Sequence, residues 1–257
     1  MIYAIIITTI AGLSTTLGSL VVMLIKKPKD TLVAASLGFA GGVMITVALA
    51  DMLPEAVREY ATTFSKTKSA LMACSLFFAG IIIAVLLANL LPSEEEILLK
   101  DKTKDKRLAG VCRSALVTMA VVTMHNLPEG IITLFTSYAM PKIGLTLAIA
   151  IAIHNIPEGI AIAVPVYYAT KSKVKAFLAS FISGVCEPIG AILAFLVLKN
   201  FITPLFLTGL LAIIGGIMAS VSIIELLPSG FEQAERKYCA GGAIFGVLIM
   251  SIGIFLI

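Results

Sequence analysis

Eight stretches of this chain stay apolar for about 20 residues, the length an α-helix needs to cross a hydrocarbon core roughly 30 Å thick. They lie near residues 2–25, 31–53, 69–92, 108–139, 143–168, 174–198, 203–227 and 238–257. Inside a bilayer no water is present to satisfy backbone groups, so each segment must close its own hydrogen bonds as a helix. None alternates as barrel strands do. The expected fold is all-α and integral to the membrane, eight helices forming one domain over 1–257. A soluble fold is excluded by composition: 59% of residues are hydrophobic and 13% charged, where soluble domains carry about 25% charged residues. No basic segment precedes the first run, so it reads as a crossing rather than a cleaved signal.

The breaks between runs hold the charge. Of the 19 lysines and arginines, 14 fall in or beside the first, third, fifth and seventh loops and 5 in or beside the other three. The positive-inside rule then puts the odd loops in the cytoplasm and both termini outside. The longest connection, 93–107, is a charged cytoplasmic linker between helices three and four. A net charge of +4 spread over loops makes no case for a nucleic-acid partner. Cys74, Cys112, Cys186 and Cys239 are scattered, with no CxxC pair, which indicates neither a disulfide framework nor a thiolate metal site.

Two internal repeats lie within the apolar runs. Gly41-Gly42-Val43-Met44 leading to Asp51-Met52-Leu53-Pro54 recurs at an offset of 174 as Gly215-Gly216-Ile217-Met218 leading to Glu225-Leu226-Leu227-Pro228. These close the second and seventh runs, an odd number of crossings apart and so opposite in direction. His125-Asn126-Leu127-Pro128-Glu129-Gly130 recurs as His154-Asn155-Ile156-Pro157-Glu158-Gly159 on the adjacent, antiparallel runs four and five. Inverted repeats around a midplane site are a signature of secondary transporters. The expected arrangement is 3+2+3, with helices 1–3 and 6–8 as the repeated units.

Both histidines of the chain sit in the doubled hexapeptide, near the middle of their helices. A charge at that depth costs roughly 2.5–3.5 kcal/mol on insertion scales, so these polar groups should face each other or a water-filled path. His125 and Glu129 are i and i+4, Asn126 and Glu129 i and i+3, all neighbours on one helix face. His154, Asn155 and Glu158 repeat that pattern. Pro128 and Pro157 free the carbonyls of Met124 and Ile153, and Gly130 and Gly159 should let the two backbones come close. Glu187, beside Pro188 midway along the sixth run, is a third carboxylate at the same depth. Imidazole with carboxylate suits Zn²⁺, Fe²⁺, Mn²⁺ or Co²⁺, and without converging thiolates Cu⁺ is disfavoured. Three ionised glutamates bring a charge of about −3, so either two divalent ions or one ion with a protonated glutamate is expected.

Paired His-Asn-x-Pro-Glu-Gly motifs on consecutive helices of an eight-helix protein resemble the ZIP (Zrt/Irt-like) metal transporters. With Met52-Leu53-Pro54-Glu55 ending helix two, the chain is similar to the GufA-type prokaryotic branch. The resemblance covers the whole chain. It implies import of Zn²⁺ or related divalent ions (Fe, Mn, Co, Cd) as cargo, without a prosthetic group, by a multi-pass protein of the cell (inner) membrane. It also implies His125, Glu129, His154 and Glu158 around one ion. Asn126, Asn155 and Glu187, with both motif glutamates shared, would hold a second. Members of that family often dimerise, which makes a homodimer possible. Many carry a histidine-rich loop between helices three and four; here that segment has no histidine and reads as a solvated linker.

An intramembrane metalloenzyme would also bury His and Glu, but its His-Glu-x-x-His string is absent and the inverted repeats would go unexplained. A receptor or structural protein with a polar core would show neither metal dependence nor flux. The reading is therefore a transporter and not an enzyme. Asp51 and Glu225 are either interfacial charges or mirrored vestibule carboxylates that collect and release cations. Met44, Met218 and Cys186 read as packing residues.

Overall fold

The computed structural model describes residues 1–27, 29–91, 106–198 and 203–256. Among them all regular structure is helical, and eight helices are long and apolar enough to cross a membrane. They are α1 (Ile2–Leu24), α2 (Asp30–Ala61), α3 (Lys66–Leu90), α4 (Lys106–Ala139), α5 (Pro141–Thr170), α6 (Lys173–Leu198), α7 (Pro204–Gln233) and α8 (Arg236–Leu256). Proline at the first helical position starts α5 and α7, where its missing amide costs nothing. The Thr203 side chain caps α7 by accepting from the Phe206 amide. A left-handed Lys171 (φ 53°) ends α5. Of the linker expected over 93–107, residues 93–105 lie outside the described residues; Lys106 and Arg107 already belong to α4.

The breaks expected at Pro54 and Pro228 do not occur. Each proline is preceded by a widened π turn, Val47–Met52 in α2 and Ser222–Leu226 in α7. Such a turn absorbs the lost amide and the clash that proline makes with the carbonyl four residues back. Both helices then run on to Ala61 and Gln233. The two π turns occupy equivalent positions of the 174-residue repeat, and they carry Asp51 and Glu225.

Burial sorts the helices. In the most apolar window of each, α2 is 72% and α7 67% buried, against 22% for α3 and 17% for α8, so α3 and α8 form the outer, lipid-facing shell. Helices α1, α4, α5 and α6 pack on one another as a bundle, α2 pairs with α8 and α3 with α7. Contacts of α2 with α5 and of α7 with α4 join these pairs to the bundle. Exchanging α1 with α6, α2 with α7, α3 with α8 and α4 with α5 maps this set of pairings onto itself.

Close backbone approaches of α1 with α5, α4 with α6 and α1 with α6 obey the same exchange. A Cβ added to Gly159 would lie 1.8 Å from the Thr15 carbonyl oxygen, and one on Gly130 2.0 Å from that of Glu187. Gly12 and Gly184 would each strike the other's carbonyl, at 2.5 and 2.4 Å. In lipid, where burying apolar surface gives no net drive, close packing through small residues is what joins helices. Gly130 and Gly159 thus do not ease α4 against α5, as the motif suggested; they seat α6 and α1. The reason is angular: five residues after its histidine, each glycine lies about 140° further round the helix.

Candidate metal centre

The seven midplane residues expected to bind metal are all buried, none more than 2% exposed. His125, Asn126 and Glu129 come from α4, His154, Asn155 and Glu158 from α5, and Glu187 from α6. The closest His–Glu pairs cross between the two hexapeptides. His125 Nε2 is 3.1 Å from Glu158 Oε1, and His154 Nε2 is 3.6 Å from Glu129 Oε1. One ligand atom each from His125, Glu129 and Glu158 fall within 4.8 Å of one another, a spacing that one ion can bridge.

The asparagines are held from behind. Asn126 Nδ2 donates to the Ser183 carbonyl at 3.1 Å, and Asn155 Nδ2 donates to the Ala11 carbonyl at 3.0 Å and to Glu187 Oε2 at 2.9 Å. A backbone carbonyl can only accept, so the amide nitrogens are committed and the amide oxygens are left to face elsewhere. Asn126 Oδ1, Asn155 Oδ1, both Glu129 oxygens, Glu158 Oε2, Glu187 Oε1 and His154 Nε2 are all buried and make no hydrogen bond, the His154–Glu129 contact being longer than one. So many orphaned acceptors in one place are costly unless something positive joins them. The donor set of imidazole, carboxylate and amide oxygen fits a divalent transition-metal ion.

Two contributors are absent from the hexapeptides. Ser183 and Ala11, which hold the asparagines, are related by an offset of 172, as are Gly12 and Gly184 and also Gly18 and Gly190. This third repeat, between α1 and α6, was available in the sequence as three aligned small positions. Within it Glu187 aligns with Thr15, whose buried hydroxyl has no partner. The site is thus symmetric in every element but one, and its third carboxylate has a neutral counterpart.

Open space borders the cluster on the Asp51 side. A cavity of 220 Å³ is bordered by Glu55, Glu59, Thr136 and Met140, and a smaller one of 30 Å³, the neck, is lined by Asp51, Glu129 and His154; Ile132, Leu147 and Leu211 border both. Since about 10–15 Å³ holds one water, the neck has room for about two beside Glu129 and His154. Asp51 is half-buried in that neck. Glu225, its repeat partner, is 7% exposed, is ion-paired with Arg113, and borders a space of only 10 Å³. The two carboxylates therefore stand in different settings, one on an open path and one in a sealed contact. Met44 and Met218 are fully buried in packing, and Cys74, Cys112, Cys186 and Cys239 form no disulfide among the described residues.

Fold and site together define a polytopic helical membrane protein with a buried His/Glu/Asn cluster whose spacing could hold a metal ion. The family described as ZIP Zinc transporter matches residues 89–252. Over its full length the chain is 36% identical to the zinc transporter ZupT of Chlorobium chlorochromatii, covering 98% of that protein. It is 38% identical to ZupT of Streptococcus mutans, with 98% of this chain and 97% of that one covered. For ZupT of Stenotrophomonas maltophilia the identity is 36%, with 98% and 95% covered. The chain belongs to the ZIP zinc transporter family.

Proposed function

We propose that this protein carries divalent transition-metal ions, zinc first among them, across a cell membrane through the midplane cluster on α4, α5 and α6. The observation that carries this reading is the set of buried ligand atoms without hydrogen-bond partners beside the 30 Å³ neck. A purely structural polar core would satisfy its own acceptors. The name zinc transporter on the relatives supports Zn²⁺ as cargo; Fe²⁺, Mn²⁺, Co²⁺ and Cd²⁺ are compatible with the same ligands. Transport rather than catalysis is the reading, in a 3+2+3 inverted-repeat architecture with both termini outside and the basic loops in the cytoplasm. The expected location is the inner cell membrane.

A hydrated ion enters the 220 Å³ cavity, attracted by Glu55, Glu59 and then Asp51. In the neck its waters are exchanged for His154 and Glu129, then for His125 and Glu158. Glu187 with the two asparagine oxygens takes a second ion, the motif glutamates bridging both. Two ions bring the centre from about −3 to about +1, which keeps either from binding so tightly that it cannot leave. Rearrangement of the repeats about this centre then opens the basic end.

The test is purified protein in liposomes loaded with a zinc-sensitive dye. Saturable Zn²⁺ influx, absent from protein-free liposomes, is the expected result; tight binding with no influx would sink the transport reading. Calorimetric titration in detergent should count two Zn²⁺ per chain, falling to one in Glu187→Gln, and a count of one in both would remove the second site. Because ligands must be deprotonated to bind, influx should fall several-fold between about pH 7.5 and about pH 5.5. A flat profile across that window would mean that no imidazole takes part.

A further inference from the structure

Arg113 lies on α4, twelve residues before His125, and Lys142 lies on α5, twelve residues before His154. The offset of 29 that relates the two hexapeptides therefore also relates these two cations. Asp51 and Glu225, on the π turns of α2 and α7, are related by the offset of 174. Each end of the molecule thus holds one carboxylate on α2 or α7 and one cation on the bundle helix that faces it, α5 or α4. At the basic end the pair is made: Arg113 Nη1 donates to Glu225 Oε1, joining α4 to α7 across 112 residues of sequence. At the other end it is not made. Lys142 is exposed and, among the described residues, forms no ion pair, while Asp51 faces the open neck.

The same asymmetry runs through the path itself. Ten residues line the neck between Asp51 and the metal centre. Their counterparts, taken at offsets of 29 and 174, include Leu37, Ala40, Thr118, Val121 and Leu226. Nine of the ten are 0% exposed and the tenth, Glu225, is 7% exposed. One half of the path admits solvent, and its mirror image is packed shut behind an ion pair.

We propose that Arg113 and Glu225 form the latch that keeps the basic end closed in this state, and that Lys142 and Asp51 form its counterpart when the path opens the other way. Neither cation touches the ligands; both act by positioning the bundle against α2 and α7. Two such pairs used in turn link closure of one end to release of the other, because the bundle cannot sit against both carboxylates at once. A half-buried pair is suited to this role. Removing Arg113 takes a positive partner from a buried carboxylate, and an end that opens to water relieves that cost. The inference rests on the transport reading but makes a claim about accessibility that needs no metal flux.

The test is thiol labelling in oriented membrane vesicles, with Cys74, Cys112, Cys186 and Cys239 replaced by alanine. One reporter is Ser220→Cys, beside Glu225 in the sealed half; the other is Ala150→Cys, in the neck. With Arg113 present, a membrane-impermeant maleimide should label Ala150→Cys from the acidic end quickly and Ser220→Cys from the basic end slowly. Arg113→Gln should raise labelling of Ser220→Cys about tenfold or more and lower that of Ala150→Cys, the mark of a shifted two-state equilibrium. The exchange Arg113→Glu with Glu225→Arg should restore the original pattern. Unchanged labelling in Arg113→Gln, or faster labelling that the exchange does not reverse, overturns the latch. If Arg113→Gln does not fold, Glu225→Gln is read with the same two reporters, and unchanged labelling there overturns the latch equally. Dye-detected Zn²⁺ influx, measured on the parent protein, reports separately on the transport reading: its loss would leave the labelling result intact.

Discussion

Glu129→Ala is expected to reduce zinc influx into liposomes by about 100-fold or more, a larger effect than the 10- to 100-fold typical of groups that only support a ligand. Both Glu129 oxygens are buried without a protein partner, one of them 3.6 Å from His154 Nε2, and the side chain lies with His125 and Glu158 inside 4.8 Å. It also lines the neck. Removing it takes away a ligand shared by both proposed ion positions. Folding should survive, because the residue contributes an unpaired buried charge rather than a satisfied contact. Thermal unfolding separates the two effects. Zinc at 100 times its Kd stabilises a binding protein by about 2.7 kcal/mol, so the parent should show a marked rise in Tm with zinc and Glu129→Ala almost none. Near-normal saturable influx in the variant would show that the cluster is not on the path.

Gly159→Leu is expected to prevent assembly of the folded protein. Even the first added carbon would sit 1.8 Å from the Thr15 carbonyl oxygen, where the obstacle is backbone rather than a side chain that can swing away. Helices α1 and α5 would have to separate, and the Asn155 bond to the Ala11 carbonyl and the Ser180 bond to the Gly159 carbonyl depend on that seam and the neighbouring one with α6. Gly241→Leu is the matched control, since nothing lies within 4 Å of a Cβ there. Detergent-solubilised yield and size-exclusion profile should collapse for the first and stay at parental level for the second. Equal behaviour of the two would mean that the α1–α5 seam tolerates being pried apart.

Much of the candidate site was legible because a polar residue in the middle of an apolar helix is conspicuous. His125, Glu129, His154 and Glu158 were visible in the doubled hexapeptide, and all are buried at one locus. The partners were not. Spacing along one helix brings His125 near Glu129, yet His125 lies against Glu158 of the other helix. That choice depends on how α4 and α5 are rotated and how deep each sits. Ser183 and Ala11 escaped notice because they act through backbone carbonyls, which every residue has. Arg113 reads in the sequence as one more basic residue near a loop; only its contact with Glu225 separates it from the others. The π turns were hidden for a related reason. Proline signals that a regular helix cannot continue, and whether the chain then ends the helix or widens one turn is settled by what the extension packs against.

By itself the sequence determined the number of apolar helices long enough to cross a membrane, the polar residues set within them and the internal repeats. Length, hydropathy and polar identity are properties of a segment, and the bilayer requires each segment to form a helix wherever it is set. The tertiary structure decided which repeats face each other, which carbonyls the glycines admit and which His pairs with which Glu. It also decided that Asp51 borders open space while Glu225, its repeat partner, is ion-paired and buried. These are relations between helices, set by rotation and depth to a fraction of a turn, and the two halves have nearly the same local preferences. Contacts such as Arg113 with Glu225 exist only once the helices have come together.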